Sequence, residues 1–144
     1  MSNVGHIQSD EKALASVAAA LSIIAGYIHL VVMPEHFKEW WGYGIFFLIV
    51  AIAQMLYGGA LLIRPRHSLL VAGIIGNLAL IALWAWTRTI GIPLIGPGAG
   101  EREAVASIDL VSKAVELALV LSLAALMRGQ HASAPERPGR PRGV

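Results

Sequence analysis

Residues 13–33, ALASVAAALSIIAGYIHLVVM, run for 21 positions without Asp, Glu, Lys or Arg and with a single histidine, His29. At about 1.5 Å of rise per helical residue the run reaches roughly 30 Å, the thickness of a bilayer's hydrocarbon core. It follows a polar start, residues 1–12, in which Lys12 is offset by Asp10 and Glu11. That charge balance, and an apolar stretch longer than the roughly 7–15 residues of a signal-peptide core, predict a retained membrane span. Three further runs of similar length follow, at about 43–63, 68–86 and 108–127. Composition agrees: 56% of residues are hydrophobic and 14% charged, against about 25% charged in soluble domains. The predicted architecture is therefore all-α, an integral-membrane, up-down four-helix bundle, with neighbouring spans antiparallel because the second and third are joined only by Arg64-Pro65-Arg66-His67.

Charge sets the orientation. Lys12, Arg64, Arg66, Arg128, Arg137, Arg140 and Arg142 fall on one side of the bundle, and only Lys38, Arg88 and Arg102 on the other. Cytoplasmic loops carry the excess of Lys and Arg, so both termini are predicted cytoplasmic in a bacterial inner membrane, with the loops 34–42 and 87–107 facing outward. The domain reading is a cytoplasmic N-terminal segment over 1–12, a transmembrane domain over 13–127 and a disordered, Pro/Gly/Arg-rich cytoplasmic tail over 128–144. The lipid bilayer is the one certain partner, other subunits of a membrane complex are a second, and the tail arginines read as a topology signal rather than as a nucleic-acid contact.

Polar residues inside apolar runs carry the remaining information. Gln54 and Asn77 lie near mid-span on helices joined by a short connector, which predicts a helix–helix hydrogen bond between them. Gly58, Gly59, Gly73 and Gly76 predict close packing of the same two helices. On the fourth run Asp109, Lys113 and Glu116 recur at i, i+4 and i+7. They share one face, and charge in lipid is costly enough that this face must point inward. A mutually neutralising ladder is the expectation, with a proton relay as its functional form.

The outer connection Pro34-Glu35-His36-Phe37-Lys38-Glu39-Trp40-Trp41 reads as a break at Pro34 followed by a short interfacial helix, with Trp40, Trp41 and Tyr43 as an aromatic belt. His29, Glu35, His36 and Glu39 gather at this end, and the second outer loop brings Glu101, Glu103 and Asp109 to the same side. Cysteine is absent, so a metal here would have His and carboxylate ligands, which suit Zn(II), Cu(II) or non-haem iron. No H-E-x-x-H spacing is present. The second loop, residues 88–101, is rich in Gly and Pro and reads as a lid over the bundle mouth, with Arg88 paired to Glu35 or Glu39.

Glu35-His36, Glu39-Trp40-Trp41-Gly42-Tyr43-Gly44 and Phe46-Phe47, together with Arg88-Thr89, Gly91, Pro93, Gly96-Pro97 and Gly100-Glu101, resemble the loop motifs of a group of small four-span bacterial membrane proteins. The resemblance covers roughly residues 15–127 and implies a bundle with its distinctive residues on the outer side. It implies no particular activity. The functional expectation is an outward-facing His/carboxylate binding site, with a non-catalytic accessory or assembly subunit as the alternative and a proton-coupled carrier or an enzyme as further ones.

Overall fold

The computed structural model describes residues 2–92 and 96–132. Among these residues the chain forms four helices: α1 (Ser2–Glu39), α2 (Trp41–Ile63), α3 (His67–Thr89) and α4 (Ser107–Ala132). Each contains a stretch long and apolar enough to cross a membrane. The described residues thus form an all-α, multi-pass four-helix bundle, and an even number of antiparallel spans puts the start of α1 and the end of α4 on one side. We call that side the terminus end. The opposite side, which carries the α1–α2 corner and residues 90–106, is the loop end. Most of the tail reading, residues 133–144, lies outside the described residues; residues 128–132 complete α4.

Pro34 does not end the first helix. α1 continues through it to Glu39, so residues 35–39 are the last turn of a long helix instead of a separate interfacial one. Proline removes one intrahelical donor, a loss tolerated in membrane helices where packing supports the segment. Here the far side of Pro34 is held by Phe37 and His36. The His36 ring stacks on Phe47 at 3.8 Å, and the Phe37 ring lies against Gly44, where any Cβ would overlap it. Trp40 alone, in extended conformation, turns the chain into α2.

Small residues decide which helices approach. Ala15, Ala18, Ala19, Ser22 and Ala25 are buried on α1, opposite Ala51 and Gly58 on α2. A Cβ at Gly58 would stand 2.8 Å from the Ala19 carbonyl oxygen, so this seam brings backbone against backbone. α1 packs most extensively on α2 and next on α4, and α3 packs on α4. α2 and α3 scarcely approach, which corrects the reading of their glycines. Gly58 faces α1, while Gly59 and Gly76 have nothing within 4 Å. Only Gly73 serves the α2–α3 seam, by receiving the Tyr57 hydroxyl, which donates to the Leu69 carbonyl at 3.0 Å.

The apolar core sits at the terminus end, where Ala15, Ala18, Ala19, Leu61, Leu70, Leu119, Leu123 and Leu126 form one buried cluster. Above it lies a polar belt at mid-height. Ser22 Oγ donates to the Gln54 carbonyl at 2.7 Å, Gln54 Nε2 donates to Asn77 Oδ1 at 3.2 Å, and Asn77 Nδ2 donates to the Gly73 carbonyl at 2.8 Å. This chain of bonds ties α1, α2 and α3 together by side chains where the α2 and α3 backbones stay apart.

Candidate functional site

On the loop-end side of that belt the bundle is hollow. A cavity of about 410 Å³ is lined by all four helices and by Ile92 and Glu103 of the 90–106 segment. Its walls are mainly apolar and aromatic, from Ile28, Val32, Phe46, Phe47, Leu80 and Trp84 among others. The cause is the spacing just described: with no backbone seam between α2 and α3, the rings of Phe46, Phe47, Trp84 and Trp86 line the space without filling it. Phe46, Leu83 and Trp86 line the cavity and are also 38%, 41% and 49% exposed, so its wall reaches the surface between α2 and α3.

Two charged clusters border it. The first is buried on the helices: Glu116 is fully buried, Lys113 Nζ lies 2.5 Å from its Oε2, and His29 Nε2 lies 3.4 Å from its Oε1. Ser112 Oγ adds a donor to Oε1 at 3.4 Å. His29 is ten residues before the end of α1 and Glu116 nine residues into α4, roughly 15 Å below the loop-end surface. Burial of a carboxylate this deep is tolerated because a cation and two further donors surround it. The second cluster lies nearer the surface. Arg88 reaches across from α3 to Glu103 and, at 2.8 Å, to Asp109. Asp109 Oδ2 also accepts from the Ala106 backbone N–H at 3.0 Å, fixing the start of α4.

The charges expected to form one ladder are therefore divided. Lys113 and Glu116 pair with each other, whereas Asp109 is taken by Arg88. Arg88 bonds neither Glu35 nor Glu39, because Glu103 and Asp109 are delivered to it by the loop's return. Glu103 N–H donates to the Thr87 carbonyl at 3.2 Å, and Gly100 N–H donates to the Ile92 carbonyl at 2.8 Å, folding the segment back on α3. Gly91, Gly96, Gly98 and Gly100 adopt positive φ along it, a conformation that other residues rarely tolerate.

The remaining candidates are spread out. Glu35 pairs with Lys38 at 2.7 Å on the exposed surface, Glu39 and Glu101 are exposed, and His36 bonds the Val32 carbonyl oxygen through Nδ1 at 2.9 Å while stacked on Phe47. Among the described residues no three His, Asp or Glu side chains are placed to hold a metal ion. Compared with family models, curated proteins and solved structures, the chain finds no match.

Sequence reasoning marked His29 as an imidazole in need of a polar partner but missed the cavity and the roles of Trp84 and of the Arg88 Nε beside it. His29 Nδ1 and Arg88 Nε are buried without hydrogen-bond partners, and the indole N–H of Trp84 is directed at the Asp109 carboxylate. All three residues line the cavity. The spacing of Trp84 and Arg88, one helical turn apart, was available as a signal, but it acquires meaning only once α1 and α4 are placed opposite.

Proposed function

We propose that the loop-end half of the bundle is a binding site for a small, largely apolar molecule that enters from the bilayer between α2 and α3. The observation that carries this reading is a cavity of about 410 Å³, apolar in its walls, whose lining also includes the polar side chains of His29, Thr87, Arg88 and Lys113. Ligand sites combine these traits, an apolar enclosure of a few hundred cubic ångströms with a small number of polar groups that fix orientation. A metal-ion version of the site is less favoured, because its expected ligands are engaged elsewhere or exposed on the surface.

The test uses 4-decylanisole, an apolar ring with a lipid-like tail, and native mass spectrometry of the detergent-solubilised protein. A one-to-one adduct is expected for the wild type, and its loss is expected in Leu80→Trp, which places an indole inside the cavity. Equal adduct formation in both proteins would sink the proposal. The excess of Lys and Arg at the terminus end supports, as part of this proposal, an orientation with both termini cytoplasmic and the cavity in the outer leaflet of a bacterial inner membrane. Single cysteines at Ser2 and Gly98 test it: a membrane-impermeant thiol reagent applied from outside should label position 98 alone.

A further inference from the structure

The terminus end gathers cations at one corner. Lys12 immediately precedes the apolar run of α1, Arg64 follows that of α2 and Arg128 follows that of α4, so all three stand at the level where hydrocarbon gives way to headgroups. Two contacts draw the α2–α3 connector against the end of α4. Gln130 Nε2 donates to the Pro65 carbonyl at 2.6 Å, and the rings of His67 and His131 meet edge to face with centroids 5.3 Å apart. Arg64 and Arg66 flank Pro65, and Arg128 lies two residues before Gln130, so the three arginines share that corner.

Their charge is not balanced locally. Every ion pair among the described residues lies in the loop-end half. The acids at the terminus end are Asp10 and Glu11, and Glu11 reaches α4 at Gly129, where a Cβ would stand 3.4 Å from its Oε1. Against these two stand four exposed cations, Lys12, Arg64, Arg66 and Arg128. The sequence beyond residue 132 adds three arginines and one glutamate, an excess of the same sign. An anion is what the corner lacks.

Beside it a groove of about 600 Å³ runs between α1, α2 and α4. Ala15, Leu61 and Leu126, all buried, form its floor, and Leu62 and Ile63, 58% and 88% exposed, form an apolar lip. Lys12, Ser16 and Gln130 stand on its polar edge with Glu11. Basic pockets between membrane helices at the headgroup level are the setting in which anionic lipid headgroups bind.

We propose that the corner and groove hold one anionic phospholipid, with its phosphate against Arg64, Arg66 and Arg128 and an acyl chain along the groove. A zwitterionic lipid brings a cation back to an already cationic corner and gains less. The site lies at the end opposite the cavity and stands or falls apart from it.

The test is native mass spectrometry of the full chain in neutral detergent, with dioleoylphosphatidylglycerol and dioleoylphosphatidylcholine, which share their acyl chains and differ in headgroup charge. Wild type is expected to bind the anionic lipid about tenfold more tightly, a change of the size that one or two arginine contacts supply. Arg64→Gln/Arg66→Gln/Arg128→Gln should lose that preference and unfold at the wild-type temperature, since these side chains are exposed. Ser16→Trp fills the groove without altering charge and should weaken both lipids. Equal binding of the two lipids to wild type, or a preference that survives in the triple variant, overturns the charge assignment. Wild-type binding in Ser16→Trp overturns the groove. Displacement of the lipid by millimolar inorganic phosphate would mean that the corner reads phosphate alone, and no adduct on the full chain would mean that the groove is filled from within the protein; either result overturns the lipid.

Discussion

The two halves of the bundle solve the problem of packing helices in lipid in opposite ways. At the terminus end, leucines and alanines from all four helices close into a dry cluster, and α1 and α2 touch backbone to backbone. At the loop end the same four helices surround a cavity, and polar contacts supply the cross-links: α1 with α4 through the His29 ring and Glu116, and α3 with α4 through the Arg88–Asp109 ion pair. The Ser22–Gln54–Asn77 belt separates them. In lipid there is no hydrophobic gain from bringing apolar helices together, so close packing and polar bonds are the available forces. The terminus end relies on close packing, while the loop end adds polar bonds to an α1–α2 seam that continues through Gly26 and Ala51. A site that must admit a ligand belongs in the half whose cohesion does not depend on being full.

The largest effect should come from removing the cation of the deeper cluster. Lys113→Met leaves Glu116 buried with only His29 and Ser112 as donors, and we expect a loss of about 3 kcal/mol of stability in detergent at neutral pH. The double variant Lys113→Met/Glu116→Leu should recover most of it, since a buried pair replaced by apolar groups is often nearly neutral. An unchanged melting temperature for the single variant would show that ion pairing does not hold the loop end together.

Truncating one leucine in each half sharpens the contrast. Leu123 is fully buried in the terminus-end cluster, and Leu123→Ala should cost about 2 kcal/mol or more by leaving an unfilled space. Leu80 already borders the cavity, so Leu80→Ala enlarges an existing space and should cost about 1 kcal/mol or less. Equal losses in thermal unfolding would erase the distinction between the halves.

The belt between them should give the smallest change. Gln54→Leu removes the Gln54–Asn77 bond, and interhelical hydrogen bonds in membranes average about 0.6 kcal/mol. A double-mutant cycle with Asn77→Leu measures that coupling directly. A coupling well above 2 kcal/mol would mean that the belt, and not the leucine cluster, sets the position of α3.

The four spans, their antiparallel course and the inward placement of Gln54, Asn77 and Glu116 were legible in the sequence. Each follows from rules that act along one helix: an apolar run of membrane length must cross, a short connector must reverse direction, and charge must turn away from lipid. Which charge meets which partner was not legible in this way. The i, i+4, i+7 spacing places Asp109, Lys113 and Glu116 on neighbouring positions of α4, yet it says nothing of Arg88 arriving from another helix. The glycines of α2 and α3 were equally ambiguous, because a small residue marks a close approach without naming the neighbour. Gly58 meets α1, and Gly59 and Gly76 meet nothing. Only the tertiary structure decided the cavity, since its existence depends on the distance between α2 and α3. That distance is set by the tight α1–α2 seam and the α3–α4 packing, contacts between residues far apart in the chain, and no periodicity within a single helix encodes it.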